Sequence, residues 1–205
     1  MKYFAIDLET TGLDPEVHAI TEMAAIYADI EGKQPIKMFY RWVNPEGFVW
    51  SQYCLNLHAE WLTKVNLRVK AKQFDGNPVI CENHDQLRSD FESWIHNELE
   101  KPLFDPQTRK QVRYNAAGKN FASFDLQFLK KIGLGDMWRH RSLDPTPLYL
   151  RKGDEILPEL KTCKERAILD GAKLNTSEVA HNAIQDAMDV VDLIRFGFTN
   201  HVVLG

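Results

Sequence analysis

Asp7 and Glu9 stand two residues apart in the opening run Lys2-Tyr3-Phe4-Ala5-Ile6-Asp7-Leu8-Glu9. Phe4, Ile6 and Leu8 alternate there with Tyr3, Ala5, Asp7 and Glu9, the period of two that marks a strand. Both carboxylates then leave one face, about 6.5 to 7 Å apart at the backbone. Two such groups can converge on one hard cation, because Mg²⁺ and Mn²⁺ prefer oxygen ligands. The bland alternative is a solvated strand face. The apolar opposite face weighs against it, as does the position just before the Thr10-Thr11-Gly12 turn, at a sheet's carboxyl end. His181 and Asp186 lie at the entry to the last helix, where Asp186 shares a stripe with Ala183 and Val190. An acid facing a core needs a partner or a metal. Asp125 falls at a helix start after Asn120-Phe121-Ala122-Ser123-Phe124, where an acid can simply complement the helix dipole. Asp189 and Asp192 on the last helix are expected to be solvated.

The elements that must position these groups follow from periodicity. After the strand at 2–9, apolar runs at Ile20–Ile30 and Met38–Val43, stopped by Glu31-Gly32-Lys33 and Asn44-Pro45, complete an antiparallel meander. Leu87, Phe91, Trp94, Ile95 and Leu99 recur at helical spacing within 84–100. Val112–Ala117 reads as a strand, and Ser123 as the cap of a short helix carrying Leu126, Leu129 and Ile132. Ser142-Leu143-Asp144 reads as a short fifth strand. Pro158 to Asp170, with Gly171 beyond its end, and Ala183 to Phe198 read as helices. This order predicts an α/β domain, a mixed five-stranded sheet flanked by helices. Within an insertion at about 50–80, Val65, Leu67, Val69 and Ala71 alternate with Lys64, Asn66, Arg68, Lys70 and Lys72. That predicts an extended segment with one basic face, either an edge strand guarded by lysines or a phosphate-binding strip. Trp50 and Trp61 read as packing residues.

The 205 residues, 44% hydrophobic and 26% charged, suit one globular domain spanning 1–205. No stretch is apolar for long enough to cross a bilayer, and the acids within the first ten residues are unlike a secretory signal, so a cytoplasmic setting is expected. The three cysteines, Cys54, Cys81 and Cys163, form no CxxC pair, which argues against a disulfide framework or zinc site. The formal charge of -4 is no footprint of nucleic-acid binding.

Taken together, Asp7-Leu8-Glu9-Thr10-Thr11-Gly12-Leu13, then Asn120 to Asp125, then His181-Asn182-Ala183-Ile184-Gln185-Asp186 resemble the three motifs of the DEDDh exonuclease family. Ile20-Thr21-Glu22-Met23-Ala24-Ala25, Asn44-Pro45, Leu143-Asp144-Pro145 and Val190-Val191-Asp192-Leu193 extend the likeness along nearly the whole chain. The resemblance implies a ribonuclease-H-like fold and removal of nucleoside 5′-monophosphates from a nucleic-acid 3′ end. It also implies two divalent ions, Mg²⁺ or Mn²⁺, held by Asp7, Glu9, Asp125 and Asp186. His181 would take a proton from the attacking water, a task suited to an imidazole at neutral pH. Thr10, Leu13, His58, Asn120 and Phe121 would contact substrate, although core packing is an even alternative for Leu13 and Phe121. The chain departs from the family at Lys119-Asn120, where His-Asn is common, and at His58-Ala59-Glu60, where His-Gly-Ile is common.

The expected partner is a single-stranded DNA or RNA end, with a polymerase or a second copy of the chain left open and no membrane. Two rivals stand beside this reading. One is a non-catalytic nucleic-acid-binding module of the same fold; the other is an oligoribonuclease or nucleotide phosphodiesterase.

Overall fold

In the computed structural model, residues 1–34, 36–174 and 181–203 are described, with side chains through Thr199. The opening alternation forms β1 (Lys2–Thr10) at the interior of the sheet. It pairs antiparallel with β2 (Ile20–Asp29), which pairs antiparallel with β3 (Lys37–Val43). Helices α1 (Gln52–Leu57) and α2 (Ala59–Lys70) lead to the short β4 (Val79–Cys81), parallel to β3. Helix α3 (His84–Ser93) runs into a wide turn over Trp94–Glu98, where the Leu99 amide donates to the Trp94 carbonyl. Then come β5 (Ala116–Ala117), parallel to β1, α4 (Asp125–Lys131), α5 (Leu160–Leu169) and α6 (Ala183–Val203). The sheet order is β4-β3-β2-β1-β5, a mixed five-stranded sheet as expected.

Both faces of the sheet are covered, so the period of two in β1 divides its side chains between two cores. Phe4, Ile6 and Leu8 pack with Leu87, Phe91 and Trp94 on the α3 and α4 side. Tyr3 and Ala5 pack with Ala187, Val191 and Ile194 of α6 on the other. Asp7 and Glu9 continue that second face beyond the apolar part of the strand. None of the described helices is long and apolar enough to cross a membrane.

Four expectations are corrected. The segment expected to be extended and basic belongs to α2. Trp61 and Val65, one helical turn apart, are buried beside the partly buried Leu62 and Val69, while Leu67 is 63% exposed. Helical spacing of the apolar residues outweighs their alternation. The strand expected at Val112–Ala117 contracts to two residues. Ser142–Asp144 supplies only an isolated bridge between Leu143 and Ala117. The fifth strand is instead Val79–Cys81, three residues too few to show a period. Ser123 does not cap α4; its hydroxyl donates to the Asn120 carbonyl, and Phe124 occupies the cap position.

Candidate functional site

The carboxyl end of β1 is open on one side, because β5 pairs only as far as Ala5. The Leu8 amide, left without a strand partner there, donates to Asp125 Oδ1 at 3.1 Å. This ties the first turn of α4 to β1 and draws a buried carboxylate beside Asp7. Gly118 allows the chain between β5 and α4 to lie close. A Cβ at that position would meet the Ile6 carbonyl oxygen at 2.8 Å. On the other face, the first turn of α6 brings Asp186 to β1, and carboxylate oxygens of Asp7, Glu9 and Asp186 lie within 4.8 Å of one another. Asn182 shapes this helix start, its side chain accepting from the Gln185 amide. His181 stands just before it, exposed, with a left-handed backbone at φ 50°.

These groups line a cleft of about 250 Å³ formed by Asp7, Glu9, Lys119, Asp125, His181 and Asp186. A wider concavity of about 640 Å³ opens beside it and shares His181; Tyr40, Trp42, His58 and Lys64 contribute to its walls. Burial and then the neighbouring carboxylates, Asp125 first, hold Asp7 well above the usual carboxylate range. Burial, Glu22 and Asp186 push Glu9 up to about 8. Burial raises Asp125 to about 7 against the lowering effect of its backbone hydrogen bonds. Carboxylates so close are poor neighbours without a compensating cation. An all-oxygen, multiply charged donor set suits a hard divalent ion, so the residues present fit the expected metal.

The remaining expected contacts divide. His58 is buried against the cluster, with Nε2 3.4 Å from Glu9 Oε2. Burial, then the charge of His181, lowers its pKa. Leu13 is 80% exposed on the turn after β1, free to touch a ligand. Thr10 turns its hydroxyl inward to donate to the Gly12 carbonyl, so it shapes the turn rather than facing the cleft. Asn120 is exposed and outside the cleft, its amide donating to Asp144 Oδ2 at 3.1 Å. Phe121 is a correction: it is buried in the α3-side core, its ring edge-on to Trp138 at 5.9 Å. Phe124 lines the cleft in its place.

Sequence reasoning also passed over Lys119 and Glu22. Lys119 lines the cleft, and its place directly before the quoted second motif was the available signal. Glu22 pairs with Glu9 across the β1–β2 ladder, and antiparallel partners project to the same side. Its carboxylate accepts from the Tyr40 hydroxyl at 2.5 Å and from the Ala183 amide at the start of α6. Burial nevertheless raises it to about 7. Its place opposite Glu9 in the meander and its place in the quoted run from Ile20 to Ala25 both pointed to it.

A mixed sheet with an acidic cluster at the carboxyl end of the interior strand β1 is a ribonuclease-H-like α/β fold. Among solved structures, the chain is similar to zinc-bound E. coli exonuclease I in complex with single-stranded DNA. That match has 16% identity and a TM-score of 0.59, covering 99% of this chain and 41% of the other. A full-length 3′-exonuclease matches at 15% identity and a TM-score of 0.58, covering 98% and 82%. Cell-death related nuclease 4 matches at 12% identity and a TM-score of 0.60, covering 100% and 64%. The chain therefore spans about two fifths of the exonuclease I chain. No family model and no curated protein matches the sequence.

Proposed function

We propose that the protein is a metal-dependent 3′→5′ exonuclease that releases nucleoside 5′-monophosphates from single-stranded DNA or RNA ends. The observation that carries this reading is the meeting of Asp7, Glu9 and Asp186 oxygens within 4.8 Å, with Asp125 buried alongside and His181 at the rim. Support also comes from a fold shared with nucleases, one of them solved on single-stranded DNA. Asp7, Glu9 and Asp186 would hold one divalent ion, and Asp7 with Asp125 a second. When bound, such ions supply positive charge where phosphodiester hydrolysis develops negative charge.

The chain's own residues do the rest. His181, exposed beside the acids and free of their burial, takes the proton of the attacking water. Lys119 offers a cation to the phosphate from the α4 side. His58, with its proton on Nε2, would orient Glu9 by donating to Oε2 once the side chains draw together. Leu13 and Phe124 present apolar surface to the terminal nucleotide. Timed digestion of end-labelled DNA and RNA oligonucleotides with Mg²⁺, Mn²⁺ or chelator tests the reading. Stepwise shortening from the 3′ end that needs metal and is lost in Asp7→Asn is expected. Intact substrate under every metal condition overturns it and favours a binding module. Cleavage confined to the shortest RNA chains would favour the oligoribonuclease reading.

A further inference from the structure

At the opposite end of β1 from the acids, a broad cleft of about 1110 Å³ lies between the segments 105–115 and 136–141. Lys110, Arg113, Arg139 and Arg141 line it, against two carboxylates, Asp105 and Asp136. Asp105 is committed to its own turn, accepting from the amides of Gln107 and Thr108. Among the described residues no ion pair engages any of the four cations; Arg113 instead meets His140 Nε2 at 3.1 Å. A smaller neighbouring concavity shares Arg113 and Arg139 and adds Lys2. In a chain of net charge -4, four cations facing two carboxylates, none of the four held in an ion pair among the described residues, form a local excess of positive charge.

Two observations narrow the partner. Three of the four cations are arginines, whose planar guanidinium presents paired donors to phosphate oxygens. Phe104, bridged antiparallel to the lining residue Gln111, projects to the same side as it and is 56% exposed. A cationic groove beside an exposed ring is how single strands are gripped, by backbone charge and base stacking. Asn115 holds the Lys2 carbonyl at the beginning of β1. Asp7 lies five residues further along, about 17 Å at the rise of a strand. The basic cleft is thus remote from the acidic cluster.

We propose that this cleft binds the phosphate backbone of a nucleic-acid strand, a second contact that holds long substrates and is idle with short ones. The identity of the polyanion rests on the nuclease reading above; the charge and the aromatic surface do not.

The test replaces Arg113, Arg139 and Arg141 together with Gln, side chains that are exposed and outside both cores, so the fold is retained. Binding of fluorescein-labelled oligo(dT) of about 30 nucleotides is followed by anisotropy in chelator, across a salt series. The variant is expected to bind at least about tenfold more weakly, and its slope of log K against log salt to be shallower by about 2, at roughly 0.7 per phosphate contact. Hydrolysis of the p-nitrophenyl ester of thymidine 5′-monophosphate, which fills only the acidic cleft, is expected to be unchanged. A control removes three exposed charges elsewhere, Lys33→Gln, Lys152→Gln and Lys173→Gln, and is expected to bind as wild type.

Wild-type affinity and salt slope in the arginine variant overturn the proposal and leave an acidic polypeptide as the cleft's partner. An equal loss in the lysine control also overturns it, since net charge would then explain the effect. The binding arm needs no catalysis. If neither protein hydrolyses the ester, the nuclease reading fails while the cleft is still judged by anisotropy.

Discussion

Glu22 is 2% exposed and stands outside the metal set, yet it is tied to the helix start that carries part of the set. Trp42 Nε1 donates to the Tyr40 hydroxyl at 2.8 Å, Tyr40 donates to Glu22, and Glu22 receives the amide of Ala183. That chain fastens β3 and β2 to the first turn of α6, two residues after His181 and three before Asp186. Outer partners of metal ligands set ligand orientation, and losing one typically costs about 10- to 100-fold in metal affinity or activity. Glu22→Gln keeps an acceptor oxygen but removes one charge. It is expected to lower kcat or Mg²⁺ affinity by that factor while leaving the melting temperature in chelator equal or higher. Titration calorimetry beside a cleavage assay checks it; wild-type values for both would make Glu22 a bystander. His181→Ala separates a proton acceptor from a structural residue. It should bind Mg²⁺ as wild type and lose about 10²- to 10⁴-fold in rate, the usual worth of a general base. Equal loss of binding and rate would assign His181 to holding the start of α6.

Helices α5 and α6 are joined by a buried ion pair, Lys164 to Asp189, with Gln185 donating to the second oxygen of Asp189 at 3.1 Å. Lys164→Met leaves the Asp189 carboxylate buried without its cation, and breaking such a pair costs about 3–5 kcal/mol. Urea unfolding in chelator should show that loss, and Lys164→Met with Asp189→Leu should recover most of it. A single variant as stable as wild type would mean that water reaches Asp189 freely. The pair also marks a limit of the sequence, where Asp189 reads as a solvated acid. Its place on α6 was legible, but its burial depends on a lysine 25 residues away. The same divide runs through the other elements. β1, β2, β3, α3 and α6 were legible because each is long enough to repeat its period several times, and α5 through Pro158 before it and Gly171 beyond it. β4 has three residues and β5 two, so their strand character comes from neighbours, Trp42 beside Ile80 and Phe4 beside Ala116. In α2 the sequence carries two periods at once, and only the tryptophan cluster of Trp42, Trp50 and Trp61 decides between them. Asp7, Glu9, Asp125, His181 and Asp186 were legible as a set through motif order. Phe121 and Phe124, three residues apart around a helix start, could be assigned to core and cleft only once that turn had a shape.

Gathering carboxylates at one end of the sheet makes the stability of the whole molecule depend on pH and metal in a definite direction. In the metal-free protein Asp7 is raised, Glu9 sits at about 8, and Asp125 and Glu22 sit at about 7. In the unfolded chain the same groups titrate near their ordinary values of about 4. The folded state therefore holds protons that the unfolded chain has released. Stability from these groups is full below about pH 4 and is lost as pH climbs through about 7 to 8. His58 and His84 act in the opposite sense, because burial lowers both, but their contribution is complete once pH exceeds the ordinary histidine value of about 6.5. The buried thiols Cys81 and Cys163, raised to about 12 and about 11, begin to matter only near the ordinary thiol value of about 8.5. Between about pH 7 and about pH 8 the acids stand alone, and the melting temperature in chelator should fall across that interval. A divalent ion binds the deprotonated set, so the increment it adds should grow over the same interval, reaching about 2.7 kcal/mol at a hundredfold excess over Kd. Asp7→Asn removes a carboxylate raised by burial and then by four neighbouring acids; it should raise the metal-free melting temperature, flatten its decline with pH and abolish the metal increment. Scanning calorimetry of both proteins at the two pH values, with chelator and with Mg²⁺, decides the matter. A metal-free wild type that is level or rising with pH, or a mutant less stable than it, would mean that the acids do not repel one another in the folded chain, and the argument for a cation at this site would go with them.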